Sequence, residues 1–105
     1  MIQTTEETRQ GWLVVTVSGR ADAAAADALE LALRSAINSS ERVAADLATL
    51  DYISSAGLRA LLQAGRAAQS RGSEFAVCRA NEMVRKVFEI SGFDRVLRIQ
   101  GELPC

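Results

Sequence analysis

The hydrophobic positions of the chain fall into two kinds of pattern. Short continuous runs of apolar residues predict buried strands, and the first of these runs should be covered on both faces. Apolar residues spaced three or four apart predict amphipathic helices between the runs. The predicted strands lie at 12–17, 42–47, 75–78 and 96–99. The predicted helices lie at 21–38, from a cap at Ser54 to about Ser70, and from a cap at Asn81 to an end at Gly92.

The alternation of strands and helices predicts an α/β layer with a partly parallel sheet. The polar first ten residues predict an edge strand that pairs antiparallel with the run 12–17 through a short turn at Gly11. Right-handed crossovers place the helix N-termini at the rim where parallel strands end. Asp22, expected to cap the first helix, and Ser55 both follow strands, so we expect both at this rim.

Two adjacent hydroxyls, those of Ser54 and Ser55, lie where the second helix should begin. Ser54 is placed to be the N-cap, with its side-chain oxygen accepting a hydrogen bond from a backbone N–H of the first turn. Ser55 is then the first helical residue, near the positive end of the helix dipole, where a phosphate is stabilised. The alternative is a pair of capping serines without further chemistry.

The composition removes several classes of function. The chain has no histidine, which excludes a Ser-His-Asp triad, a Cys-His dyad and an imidazole metal ligand. We therefore expect no catalytic residues, no metal site and no cofactor. The net charge is −1 and the 12 basic residues are scattered, so direct nucleic-acid binding is not indicated. Neither a membrane span of ~20 apolar residues nor a signal peptide is present, and we expect a cytoplasmic location.

Three segments together resemble the STAS domain, and within it the bacterial anti-sigma-factor antagonists. They are Ser-Gly-Arg-Ala-Asp at 18–22, Asp-Leu at 46–47 followed by Tyr-Ile-Ser-Ser-Ala-Gly-Leu at 52–58, and Phe-Glu-Ile-Ser-Gly-Phe at 88–93. The resemblance covers nearly the whole chain. It implies a single STAS domain over 1–105, of α/β class, with a mixed sheet of four to five strands, an N-terminal antiparallel strand and three to four α-helices.

The resemblance also implies a binding module that is switched by phosphorylation and is not an enzyme. Members of this family bind an anti-sigma factor that is also a serine/threonine kinase of the GHKL type, and so release the sigma factor. The kinase inactivates them by phosphorylating the serine two residues before the glycine of the motif, which is Ser55 here, and a PP2C-type phosphatase restores them. Asp22 falls at the position of an aspartate beside that serine. The expected partner-binding residues are Asp22, Ser54, Ser55, Ala56, Gly57 and Arg59.

Two positions depart from the family pattern. The residue before the acceptor is often aspartate and is Ser54 here, and the residue after it is often Ser or Thr and is Ala56 here. Ser54 is therefore a second candidate for the phosphorylated residue. Ser55 is favoured, because capping would engage the hydroxyl of Ser54.

Two alternative functions remain for comparison. The first is an unphosphorylated STAS subunit or scaffold of a larger assembly, such as a lipid-transporting ABC system, in which Ser55 only caps. The second, a hydrolase with Ser55 as nucleophile, is disfavoured, because no histidine can act as base and Ile53 stands where the strained turn needs a small residue.

In the phosphorylation switch, a phosphoserine of about −1.5 to −2 charges would repel a partner together with Asp22 and Asp51, without unfolding the domain.

Overall fold

The computed structural model describes residues 1–104. Three α-helices and six strands form within this range. The strands are β1 (Ile2–Arg9), β2 (Trp12–Ala21), β3 (Arg42–Asp46), β4 (Leu50–Ile53), β5 (Glu74–Cys78) and β6 (Arg98–Gln100). The helices are α1 (Ala26–Ser39), α2 (Ser55–Ser70) and α3 (Glu82–Ser91), and a 3₁₀ turn follows at Phe93–Arg95.

One mixed sheet runs through the domain in the strand order β1-β2-β3-β5-β6. β1 pairs antiparallel with β2, and the other pairs are parallel. This confirms the predicted α/β class with an N-terminal antiparallel strand. The described part of the sheet has one strand more than the sequence predicts, because 50–53 forms β4, which pairs with β2 beyond the end of β3. The segment that leads into Ser55 is therefore a strand, where we expected only a connection.

The predicted hairpin of β1 and β2 is joined by the two residues Gln10 and Gly11. Both have positive φ angles, 50° and 86°, as two-residue type I′ turns require. Glycine adopts this backbone without strain, whereas Gln10 must place a Cβ in it. The turn sets the register of the hairpin, in which Arg9 lies opposite Trp12.

The buried residues form a large cluster between the sheet and the helices and a smaller cluster on the opposite face of the sheet. Val15 and Val17 of β2 enter the large cluster, whereas Trp12 and Val14 enter the smaller one. The prediction of a first strand covered on both faces is therefore confirmed. From α1 and α2, the buried members of the large cluster include Leu29, Leu33, Ala36, Ile37, Leu58, Ala60, Leu61, Ala64 and Ala68.

The boundary between β2 and α1 differs from the prediction. β2 continues to Ala21, and a bulge at Gly19 brings its last residues into register with β4. The backbone N–H of Ala25 then donates to the carbonyl oxygen and to Oδ1 of Asp22, at 3.1 and 3.0 Å. This turn delays the start of the helix from the predicted position 21 to Ala26, because a local side-chain bond competes with helical pairing.

The last strand also lies later than predicted, at Arg98–Gln100 in place of 96–99. The backbone N–H groups of Val96 and Leu97 both donate to the carbonyl oxygen of Phe93, at 3.1 and 2.9 Å. Those donors are used by the turn, so pairing with β5 begins only after Leu97.

Candidate functional site

Ser54 is the N-cap of α2, as predicted. Its backbone N–H and its hydroxyl both donate to the carbonyl oxygen of Ala21, each at 2.9 Å. Its Oγ also accepts a hydrogen bond from the backbone N–H of Gly57 at 3.2 Å. The hydroxyl therefore acts as donor and acceptor at once. Because Ala21 is the last residue of β2, these bonds hold the start of α2 against the end of that strand.

Ser55 is the first residue of α2, and it is exposed. Within the part of the chain that the structure describes, its hydroxyl makes no hydrogen bond. The free backbone N–H groups and the positive end of the helix dipole lie at this terminus. The two neighbouring serines thus differ sharply, since the hydroxyl of Ser54 is engaged and that of Ser55 is open to solvent.

Gly57 lets the first turn of α2 approach β2 closely. A Cβ at this position would lie 2.6 Å from the carbonyl oxygen of Ala21 and 2.9 Å from Cγ1 of Ile53. Both distances are well inside the ~3.5 Å of a favourable nonbonded contact. The carbonyl that accepts both bonds from Ser54 would therefore have to move if residue 57 carried a side chain.

Asp22 follows Ala21 directly and is half-buried. Its Oδ1 accepts the hydrogen bond from Ala25 in the turn before α1. The prediction that it caps the helix itself is wrong, because the N-cap of α1 is Ala25 and no side chain bonds to the first turn. Since Ala21 is bonded to Ser54, the chain still brings Asp22 to the rim of the sheet at which α2 begins.

A shallow groove of about 280 Å³ borders Asp22 on the side of α1. Apolar side chains form most of its lining: those of Met1 and Ile2, and the short ones of Ala24, Ala25 and Ala28. Short side chains of this kind leave room for another protein surface to approach the rim. The sequence offers a signal for this feature in its run of alanines at 23–26.

Arg59 lies one turn after Ser55 on the exposed side of α2. Among residues 1–104, no carboxylate or ring pairs with its guanidinium. Ala56 is half-buried between them, and Gly57 is buried. The structure therefore collects at one end of α2 the residues that were expected to form the partner surface, with Gly57 shaping the contact with β2 instead of facing outward.

An ion pair between Asp46 and Arg79 lies at the ends of β3 and β5. Asp46 is buried, with 3% of its surface exposed. Its Oδ1 accepts a hydrogen bond from Nε of Arg79 at 3.1 Å. Nη2 of Arg79 bonds the second oxygen. The hydrogen bond to Asp46 raises the pKa of the Arg79 guanidinium above its ordinary value. The backbone N–H of Ala48 also donates to Oδ1 at 3.1 Å, so the loop after β3 supplies a further hydrogen bond to the buried carboxylate.

Asn81 links α3 to β4. Its Oδ1 caps the helix by accepting from the backbone N–H of Val84 at 2.9 Å, as predicted from the sequence. Its Nδ2 also donates to the carbonyl oxygen of Leu50 at 3.0 Å. This second bond fixes the first residue of β4, and through that strand it helps to hold the start of α2. Only the capping half of this role has a signal in the local sequence.

Arg20 and Tyr52 form a stacked pair beside the rim. They are paired residues of β2 and β4, and the guanidinium carbon lies 4.4 Å from the centre of the ring. A guanidinium over an aromatic face is attracted by the electron density of the ring. Arg20 is therefore engaged by the protein, unlike Arg59.

Residues 1–104 show neither a metal cluster nor a membrane-crossing helix. No group of three or more His, Cys, Asp or Glu side chains in this range is arranged to hold a metal ion. None of the helices described is both long and apolar enough to cross a membrane. The candidate site is thus built from hydroxyls, carboxylates and one unpaired arginine.

Residues 3–103 match the family model of the STAS domain. The candidate anti-sigma factor antagonist BtrV of Bordetella bronchiseptica is 42% identical over 84 residues, which cover 79% of this chain and 72% of that protein. The anti-sigma F factor antagonist of Paenibacillus polymyxa is 28% identical over 100 residues, which cover 93% of this chain and 86% of the relative.

Solved structures show the same fold. An anti-sigma factor antagonist from Mycobacterium paratuberculosis has a TM-score of 0.83 at 27% identity, over 98% of this chain and 88% of that one. The Bacillus cell fate determinant SpoIIAA in its phosphorylated form has a TM-score of 0.70 at 18% identity, over 95% and 93% of the two chains. Together with the match over 3–103, these likenesses establish that the chain belongs to the STAS domain family.

Proposed function

We propose that this protein is an anti-sigma factor antagonist that is switched by phosphorylation of Ser55. Unphosphorylated, it binds an anti-sigma factor with serine/threonine kinase activity of the GHKL type in the cytoplasm, and the sigma factor is released. A PP2C-type phosphatase returns the phosphorylated form to the binding state. The observation that carries the proposal is the difference between the two serines, because Ser54 uses its hydroxyl to hold the fold and Ser55 leaves its own exposed.

The relatives support the first half of this proposal. BtrV and the Paenibacillus polymyxa protein are both named as antagonists of anti-sigma factors, BtrV as a candidate. SpoIIAA, which shares the fold, exists in a phosphorylated form. The local physics supports the second half, since a phosphate on the first residue of a helix lies in solvent at the positive end of the dipole. A modification there leaves the buried clusters untouched.

Phosphorylation would act on the docked partner and not on the fold. It adds about −1.5 to −2 charges at pH 7 at the rim, where Asp22 and the exposed Asp51 already carry negative charge. Like charges brought together in an interface cost several kcal/mol. A loss of about 3 kcal/mol would weaken the complex roughly a hundredfold, since each ~1.4 kcal/mol is tenfold in affinity.

The test is to incubate the protein with ATP and its cognate anti-sigma factor as the kinase, and then to measure the intact mass. The wild type and Ser54→Ala should each gain one phosphate, and Ser55→Ala should gain none while still binding the anti-sigma factor. Incorporation that persists in Ser55→Ala but is lost in Ser54→Ala would move the acceptor to Ser54. If the wild-type protein gains no phosphate, and its complex with its partner persists after ATP is added, it would instead be a constitutive STAS subunit or scaffold.

A further inference from the structure

Arg59 stands four residues after Ser55 in α2, which places the two side chains on the same face of the helix. Both residues are exposed. The arginine has no partner among the described side chains, whereas several other arginines are paired, including Arg20 with Tyr52 and Arg79 with Asp46. An unpaired guanidinium can therefore turn toward position 55 without breaking an existing contact.

We propose that Arg59 is the internal counter-ion of phosphorylated Ser55, so that phosphorylation also withdraws a cation from the docking surface. This inference rests on the proposed phosphorylation of Ser55. An acidic group that precedes a basic one by four residues has the favourable orientation on a helix. The planar guanidinium can donate two parallel N–H bonds to the oxygens of a phosphate. The unmodified hydroxyl of Ser55 carries no charge and cannot accept such a pair of bonds.

The same spacing discriminates between the two serines. Four residues after Ser54 lies Leu58, which is buried with 6% of its surface exposed. A phosphate on Ser54 would therefore lack a cation one turn along the helix, and its hydroxyl would have to release the carbonyl of Ala21. Ser55 is the residue of the pair for which the helix already provides a counter-charge.

The pairing changes what a partner meets at the rim. In the unmodified protein, a neutral hydroxyl and a free guanidinium are available, and a carboxylate of the partner can bind the guanidinium. In the phosphorylated protein, the guanidinium is held by the phosphate, while the remaining charge and the carboxylate of Asp22 face the partner. Removal of Arg59 should therefore weaken the unmodified complex.

The experiment uses the full chain with phosphoserine inserted at position 55 during translation, so that no kinase is needed. The second pKa of the phosphate, about 6 in the absence of neighbours, is measured by ³¹P NMR titration in the wild type, Arg59→Ala and Arg59→Lys. Arg66→Ala is the matched control, because Arg66 is another exposed arginine of the same helix, has no partner among residues 1–104 and lies far from the N-terminus of the helix. Positions 55, 59 and 66 are all exposed, so the phosphorylated chain and its variants should fold.

A cation beside the phosphate stabilises the doubly charged form and lowers its pKa. We expect the pKa to rise by about 0.3 unit or more in Arg59→Ala, from a helix pair of ~0.5 kcal/mol and 1.36 kcal/mol per unit. Arg59→Lys should retain most of the shift, and Arg66→Ala should match the wild type. Identical titrations of Arg59→Ala and the wild type would overturn the inference, even if the kinase modifies Ser55.

A second measurement separates this inference from the proposed function. The unmodified chain and its Arg59→Ala variant are incubated with the cognate kinase and ATP and then weighed. Absence of transfer to the wild type, with the titration shift present, would refute the switch and leave the local pairing supported. Transfer to both proteins, with no titration shift, would support the switch and refute the role of Arg59.

Discussion

Ser54→Ala should lower the stability of the fold and leave phosphorylation intact, whereas Ser55→Ala should abolish phosphorylation and leave the stability nearly unchanged. Ser54 holds the start of α2 through a bond donated to Ala21 and a bond accepted from Gly57. Ser55 makes no side-chain bond among the described residues. The first substitution therefore removes two bonds of the fold and keeps the proposed acceptor, whereas the second removes the proposed acceptor and keeps the bonds.

The expected magnitudes follow from these bonds. Loss of an N-cap side chain costs about 0.5–2 kcal/mol, and loss of the hydrogen bond to Ala21 adds about 0.5–1.5 kcal/mol. The carbonyl of Ala21 keeps the bond from the backbone N–H of Ser54, so the total should be near ~2 kcal/mol. Since 1 kcal/mol shifts the Tm of a domain of this size by about 4–8 °C, Ser54→Ala should melt about 10 °C lower. Ser55→Ala should change the free energy of unfolding by less than ~0.5 kcal/mol.

Urea unfolding and intact mass after incubation with kinase and ATP measure both effects on the same preparations. Ser70→Ala, at the other end of α2, controls for the loss of a serine from this helix. Phosphate transfer is assayed well below the Tm of Ser54→Ala, so that folded protein is compared with folded protein. Equal stability of the two variants, or a folded Ser54→Ala that takes up no phosphate while Ser55→Ala does, would refute the reasoning.

Three further substitutions test the hairpin turn, the first turn of α2 and the ion pair of Asp46 with Arg79. Gln10→Asn should raise the free energy of unfolding by about 0.5–1 kcal/mol in a thermal melt, because asparagine tolerates the φ of 50° in a type I′ turn better than glutamine. Gly57→Ala should lower the free energy of unfolding by about 1–3 kcal/mol despite a better helix propensity, because the added Cβ would lie 2.6 Å from the last carbonyl oxygen of β2. A variant that is more stable than the wild type in urea would contradict this. Arg79→Ala should cost about 1–2 kcal/mol by leaving the buried Asp46 without a cation, less than a fully buried pair because the Arg79 side chain is 45% exposed. Arg34→Ala, which breaks an exposed helix pair, is its control and should cost under ~0.5 kcal/mol.

Features that depend on local chemistry can be predicted from the sequence. Ser54 and Asn81 are N-caps because a short polar side chain precedes an apolar helical pattern, and both bonds form as expected. Gly92 ends α3 with a φ of 78°, a conformation that glycine adopts without strain. The hairpin at Gly11 follows from the change between a polar edge strand and a buried run.

Features that depend on distant pairing are not visible in this way. The segment 50–53 is only four residues long, with Asp51 exposed, and it becomes a strand because β2 extends past β3 to meet it. The ion pair of Asp46 and Arg79 joins residues that are 33 positions apart. The exposed state of Ser55 could be anticipated only once Ser54 was assigned to the cap, and the isolation of Arg59 becomes visible only in the folded chain.

The short ladder of β4 has a consequence for the stability of the segment that leads into Ser55. β4 is held to β2 through the residues paired with Gly19, Arg20 and Ala21, whereas β3 is paired along both of its edges. Local opening of the β4–α2 junction therefore breaks fewer cross-strand hydrogen bonds than opening of the sheet centre, and its amides should exchange with deuterium at a lower opening free energy. Ser55 therefore follows a segment that should open more readily than the strands behind it.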